Sequence, residues 1–220
     1  MAATHIDGRV ARGNQTRQLV LKRAMQVASV EGLEGLSLGR LAGELKLSKS
    51  GVFALFGSKE DLQLATVRAA IKVYLQHVVQ PARELPPGIN RLWCVCTSWL
   101  TYSRERVFPG GCFFYSTSAE YDARTGQVHD TLAAARTNWT THLEQTVWEA
   151  QQTEEIVADV DIPQLVFELI AFMEMANAES VLHSEFTSYD KAATAILTRL
   201  RGVATDPSLL PASVEGPAGA

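Results

Sequence analysis

The chain has 220 residues, 46% of them hydrophobic and 20% charged, with a formal net charge of −4. That apolar share supplies a sizeable core and excludes a mainly disordered, collagen-like or low-complexity protein. No charge-free run reaches the length of a membrane span, residues 1–17 hold no apolar signal region, and three cysteines (Cys94, Cys96, Cys112) suit a reducing cytoplasm better than a disulfide framework.

Residues 1–13 are polar with two glycines and read as a flexible N-terminal arm carrying Arg9 and Arg12. From Asn14 the apolar spacing becomes helical. Leu19, Ala24, Val27 and Ala28 share one face, Asn14 or Thr16 is placed to cap the start, and Gly32 ends the run. Ser37 opens a short helix that buries Leu38, Leu41, Ala42 and Leu45. Ser48 opens another through Val52, Phe53 and Phe56, stopped by Gly57. Ser58, with Asp61 three residues on, has capping-box spacing and starts a long helix that lasts until Pro81. Pro86-Pro87-Gly88 and Pro109-Gly110-Gly111 bracket a helix with Leu92, Trp93, Cys96, Trp99 and Leu100 on one side. Further helices fit 112–121, about 127–152, 161–184 and 188–203. Residues 205–220, with three prolines and two glycines, read as a disordered tail. No period-2 strand and no internal repeat is present, so the chain reads as all-α with about nine helices.

The net charge hides a division. Residues 1–62 carry nine Lys/Arg against six Asp/Glu, a balance of +3, whereas residues 63–220 carry eleven against eighteen, a balance of −7. Between 120 and 190 there are fourteen acids and only Arg124 and Arg136. Such a split is compatible with polyanion contact at the N-terminal end alone.

The two short helices at 37–45 and 48–56, joined by a tight turn at Lys46-Leu47, have the spacing of a helix-turn-helix, whose second helix enters the DNA major groove. Ala42 is small where the second helix packs close, and Leu38, Leu41, Leu47, Val52 and Phe56 form a mini-core. These residues also carry a family likeness. The stretch LSLGRLAGELKLSKSGVFALFGSKEDL, preceded by TRQLVLKRAMQVASVEGLEGLS, resembles the DNA-binding segment of the TetR/AcrR transcriptional regulators over roughly residues 14–65. FPGGCFFYSTSAEYDARTGQVHD is similar to a segment found in one subgroup of them.

The resemblance implies a three-helix DNA-binding domain over 14–60 and a larger helical ligand-binding and dimerisation domain over 61–204. It implies that Ser37 caps its helix and touches phosphate with Arg40 nearby, and that Ser48, Lys49, Ser50 and Gly51 open the recognition helix toward base edges. Lys59 matches the lysine that meets phosphate. Phe53 replaces the usual Tyr and Leu55 the common His, so two polar contacts are missing; Lys46 stands where a turn glycine is usual and is strained if φ is positive there. Lys49, the only long polar side chain of that helix, suits a guanine, while Ala54 and Leu55 suit thymine methyls. The implied partners are a double-stranded DNA operator, a small-molecule effector and a second copy of the chain, with no membrane and no cofactor.

In the larger domain Trp93, Trp99, Phe113, Tyr115, Trp139, Phe167 and Met173 are candidates to line a mostly apolar pocket, with the ordinary helical core as the competing role for each. Leu169, Phe172 and Ala176, with Ala192, Ala195, Ile196 and Arg199, make helix faces suited to a four-helix dimer interface. Enzyme readings find no support. The five histidines form no His-Glu-x-x-His, Cys94-x-Cys96 has no second pair for zinc, and no phosphate loop or nucleophile elbow occurs. The expected function is a ligand-responsive DNA-binding repressor. The alternative is a helical small-molecule-binding protein without specific DNA readout.

Overall fold

The structure, a computed structural model, describes residues 3–214, and for 3–10 the backbone alone. Ten α-helical segments occupy the described residues: α1 (Ala3–Glu31), α2 (Leu38–Glu44), α3 (Lys49–Phe56), α4 (Lys59–Tyr74), α5 (Gln80–Arg83), α6 (Ile89–Arg104), α7 (Phe113–Tyr121), α8 (Gln127–Gln152), α9 (Ile162–His183) and α10 (Thr187–Arg201). A π-helical stretch, Leu75–Val79, joins α4 to α5 without a break, so the described chain has nine rods, as the periodicity predicts. The π turn has a local cause. Pro81 lacks an N–H and its ring crowds the carbonyl four residues back, and the turn ahead of it widens so that the Gln80 N–H reaches the Leu75 carbonyl. The only β-type contact among the described residues is an isolated bridge between Ile156 and Ala204.

Two expectations are corrected at the ends. The residues read as a flexible arm are helical from Ala3, because no proline interrupts them and α1 already propagates from its buried stripe, Val20, Ala24, Val27 and Ala28. Thr16 therefore does not cap; its hydroxyl donates to the Arg12 carbonyl inside the helix. Residues 205–214 are not a loose tail either. Thr205 N–H donates to the Glu155 carbonyl, Asp206 caps a 3₁₀ turn over Pro207–Leu209, and Leu210 is buried. Residues 215–220 lie outside the described residues.

By internal packing the chain forms two units. Of the described residues, the first contains 3–72 and 108–133, the second 73–107 and 134–214. The expected boundary near 60 thus misses that α7 belongs with the helix-turn-helix. In the first unit, Leu33, Leu36, Leu41 and Leu62 are almost wholly buried, as are Val52 and Phe56 of α3. In the second, α9 and α10 pack on each other and on α6, burying Leu92, Leu165, Leu169, Ile196 and Leu200. Ion pairs Arg199–Glu168, Arg104–Asp190, Arg136–Glu174 and Arg91–Glu149 flank that core at the surface.

Candidate nucleic-acid interface

Each helix of the motif starts on the predicted cap. Ser37 Oγ accepts from the Arg40 N–H at 3.4 Å and Ser48 Oγ from the Gly51 N–H at 3.1 Å. At α4 only the serine half of the capping box forms: Ser58 Oγ accepts the Asp61 N–H at 3.0 Å and donates to the Asp61 carboxylate at 2.6 Å, while the Ser58 N–H goes to the Phe56 carbonyl. Between α2 and α3 the turn is a Schellman motif. Leu47 N–H donates to the Ala42 carbonyl at 2.8 Å and Lys46 N–H to that of Gly43 at 3.2 Å. Lys46 sits at φ +55°, the left-handed conformation that the family usually assigns to glycine. Gly51 has a reason of its own: a Cβ there would fall 2.7 Å from the capping Ser48 hydroxyl.

The helix α3 has two faces. Val52 and Phe56 are buried, Leu55 is half-buried, and Lys49, Ser50, Gly51, Phe53 and Ala54 are exposed. Its C-terminal end is held from α1, where the Arg17 guanidinium donates to the Leu55 carbonyl and lies 4.4 Å over the Phe56 ring. Sequence spacing gave no sign of this contact, which joins residues 38 positions apart.

The cations named from sequence differ in their partners. Lys49 forms no ion pair among the described residues. Arg40 pairs with Glu31, its Nη2 donating at 2.7 Å, and with Glu44 at 2.7 Å, while Arg23 takes the other Glu44 oxygen. Those carboxylates hold the Arg40 pKa above its ordinary value. Lys59 Nζ donates to the Glu34 carbonyl at 2.7 Å and to its carboxylate at 2.8 Å. Glu34 is a hub that sequence reading missed. Besides Lys59 it accepts from Tyr121 Oη at 2.8 Å and Gln63 Nε2 at 3.2 Å, with Arg124 at 3.3 Å. Glu120, one residue before Tyr121 on α7, accepts the backbone N–H groups of Leu33 and Glu34 at 2.6 and 2.9 Å. The loop before α2, the start of α4 and the end of α7 are thereby tied together.

The hydrogen bond from Lys59, followed by that from Tyr121, pulls the Glu34 pKa from 4.5 down to about 2. A carboxylate depressed in the folded state stabilises it above the unfolded pKa, and that contribution fades as pH falls from about 4.5 toward 2. Glu34→Gln is therefore expected to flatten the acid limb of stability by up to about one proton in the linkage slope, read by urea unfolding across that pH range. An unchanged slope would remove Glu34 from this role.

The pocket candidates scatter. Trp99 and Met173 are buried in the second unit, with Trp93 and Trp139 half-buried there. Phe113 and Tyr115 lie on α7 in the first unit. Phe167 is corrected: 69% exposed, it stands on the outer face of α9 with Met175 and Leu182, in phase with them and out of phase with the buried Leu165 and Leu169. The interface candidates also divide. Leu169 and Ile196 are buried within the chain and Arg199 pairs with Glu168, so these three are not open to a partner in the way expected. Phe172, Ala176, Ala192 and Ala195 do line an open cleft of about 400 Å³ between α9 and α10, with Met175 and Glu179. Cys112 and Cys96 are buried, and burial pushes the Cys96 thiol up to about 12. Among the described residues no helix is long and apolar enough to cross a membrane.

Residues 20–66 match the model described as "Bacterial regulatory proteins, tetR family", and residues 88–196 match "Tetracyclin repressor-like, C-terminal domain". The fold is similar to that of a TetR transcriptional regulator from Chloroflexus aurantiacus (TM-score 0.82, 22% identity, 88% of this chain and 98% of that one). It is similar also to a TetR-family regulator from Cytophaga hutchinsonii (0.78, 21%, 89% and 98%). AibR, solved with isovaleryl coenzyme A and operator DNA, aligns with a TM-score of 0.64 and 15% identity over 81% of this chain and 94% of that one. No curated protein matches the sequence.

Proposed function

The chain belongs to the TetR family of bacterial regulatory proteins, and from that premise we propose that it is a ligand-responsive repressor, released from a pseudo-palindromic operator by a small, mostly apolar effector. The observation that carries the DNA half of this reading is α3 itself: a recognition helix capped at Ser48, with its outer face exposed and Lys49 on it forming no ion pair among the described residues. That an effector is bound at all is supported by AibR, a relative in fold solved with isovaleryl coenzyme A and operator DNA, while the apolar character of the effector rests on the aromatic residues of the larger domain.

An eight-residue helix reads few base pairs, so the working form is a homodimer with two α3 helices on two half-sites. Its interface is the outer face of α9 and α10, where Phe167, Phe172, Met175 and Leu182 leave apolar surface uncovered. Effector binding favours a state in which α4, which starts at the Ser58 cap beside α3, holds the two recognition helices at the wrong separation. Localisation follows as cytoplasmic.

One observation favours the alternative, a helical binding protein without DNA readout. Arg40 and Lys59, two of the expected phosphate contacts, are already engaged by carboxylates. Binding to duplexes from the chain's own upstream region, measured over a range of salt concentrations, separates the two. The regulator prefers one duplex over bulk DNA, whereas equal affinity for all duplexes leaves only the alternative. Within the regulator, Lys49→Ala is expected to lose about tenfold or more in discrimination at one base pair, and Lys59→Ala to weaken all duplexes evenly with a shallower salt slope. Identical effects of the two variants on every duplex would contradict the assignment.

A further inference from the structure

Beside Lys49 and Ser50 the outer face of α3 carries Phe53, Ala54 and Leu55, and we propose that this face reads thymine: the Phe53 ring, with Ala54 and Leu55 beside it, docks thymine C5-methyl groups in the major groove. The inference rests on the DNA-binding reading and specifies what that site recognises.

The outer face of α3 is short of hydrogen-bonding groups. Ser48 Oγ is engaged as the helix cap, accepting the Gly51 N–H, and Gly51 has no side chain. Lys49 and Ser50 are the exposed polar side chains of the helix. Beyond them the surface is Phe53, 49% exposed, then Ala54 and the edge of Leu55. Phe53 is not part of the mini-core, since Val52 and Phe56 on either side of it fill that role.

Major-groove edges answer such a surface unequally. A guanine or cytosine edge placed under an aromatic ring gives up water from O6, N7 or N4 and receives no partner. Thymine presents a methyl group, and burying it is favourable. The same ring therefore attracts one base and disfavours the others, so apolar contact becomes specificity rather than adhesion. Lys49 lies one helical turn before Phe53 on the same face, about 6 Å along the axis. Each half-site should therefore hold a guanine for Lys49 and, close to it, a thymine under Phe53. A phenylalanine left 49% exposed on the outer face of α3 is thus accounted for by a partner whose chemistry it fits.

The test uses the full chain and a library of random duplexes. The selected duplex is resynthesised with each thymine replaced in turn by deoxyuridine, which keeps the base pair and deletes only the methyl. One or two thymines per half-site should then matter, with affinity falling about fourfold per methyl and about fifteenfold for a symmetric pair. Phe53→Ala should bind the thymine and uracil duplexes alike, while Phe53→Tyr keeps the discrimination. Specific binding that is indifferent to uracil at every position overturns the inference and leaves the regulator standing. Retained discrimination in Phe53→Ala overturns the role of the ring. Failure to select any duplex overturns the DNA-binding reading itself. Self-association that disappears in Phe53→Ala, with uracil still ignored, would assign the face to protein contact instead.

Discussion

Gly110→Ala should lower the stability of the first unit by about 3 kcal/mol, an overpacking cost at the upper end of the usual range. A Cβ at Gly110 would lie 2.5 Å from the Ser29 carbonyl carbon and closer still to its oxygen. The obstacle is backbone at the end of α1, so no side-chain rotation relieves it. The approach is held in place from both sides: Gly110 N–H donates to Ser29 Oγ at 3.2 Å, and Ser29 is itself buried and donates to the Gln26 carbonyl. Relief would require α7 to back away, loosening the grip of Glu120 and Tyr121 on residues 33 and 34. Gly13→Ala is the internal control. It sits in α1 with nothing within 4 Å of a built Cβ and should gain up to about 1 kcal/mol from helix propensity. Urea melts of both variants decide the matter; equal midpoints would refute the close approach.

The second large effect lies in the second unit. Ser103, Asn177, Ser180 and Tyr189, from α6, α9 and α10, are all nearly inaccessible to solvent and share one hydrogen-bonded network. Ser103 Oγ donates to Asn177 Oδ1 at 2.8 Å and lies 2.8 Å from Tyr189 Oη. Arg106 stitches it from the end of α6, donating to Tyr189 Oη at 2.8 Å, Ser180 Oγ at 2.7 Å and the Ser103 carbonyl at 3.0 Å. Its guanidinium also lies over the Phe186 ring at 5.2 Å. It forms no ion pair among the described residues, and its hydrogen bonds go to these neutral acceptors. Arg106→Ala should therefore cost about 3 kcal/mol, since it removes charged hydrogen bonds and leaves buried oxygens short of donors. Tyr189→Phe should cost about 2 kcal/mol, and the double variant less than the two together, because both delete the same bond. Additive losses in a denaturant double-mutant cycle would show that the two residues act separately.

The element plan was legible because its signals are local. Serine caps at 37, 48 and 58, the turn at Lys46 and the glycine stops depend on backbone groups within a few residues, and each occurs where the sequence places it. The apolar phase of α3 likewise separates Val52 and Phe56 from Phe53. What escaped sequence reading depends on residues far apart in the chain. Arg40 and Lys59 look like free phosphate ligands until Glu31, Glu44 and Glu34 are brought beside them, and Arg17 reaches α3 only because α1 crosses it. Helical arm residues, a packed Leu210 and an outward Phe167 were misjudged for a related reason. Composition and hydrophobicity set a preference for burial or disorder, and packing against distant elements overrides it.

By itself, then, the sequence determined a helix-turn-helix at 37–56 from local spacing, and the division of its net charge of −4 into a +3 segment of 62 residues and a −7 remainder was compatible with polyanion contact at that end. Only the tertiary structure decided which of those positive charges remain available. An ion pair depends on where two side chains meet in space: among the described residues Lys49 has no ion partner, while Arg40 and Lys59 do. The same holds for the joining of residues 108–133 to the first unit, since a close backbone approach such as that of Gly110 to Ser29 leaves no periodic trace in the chain.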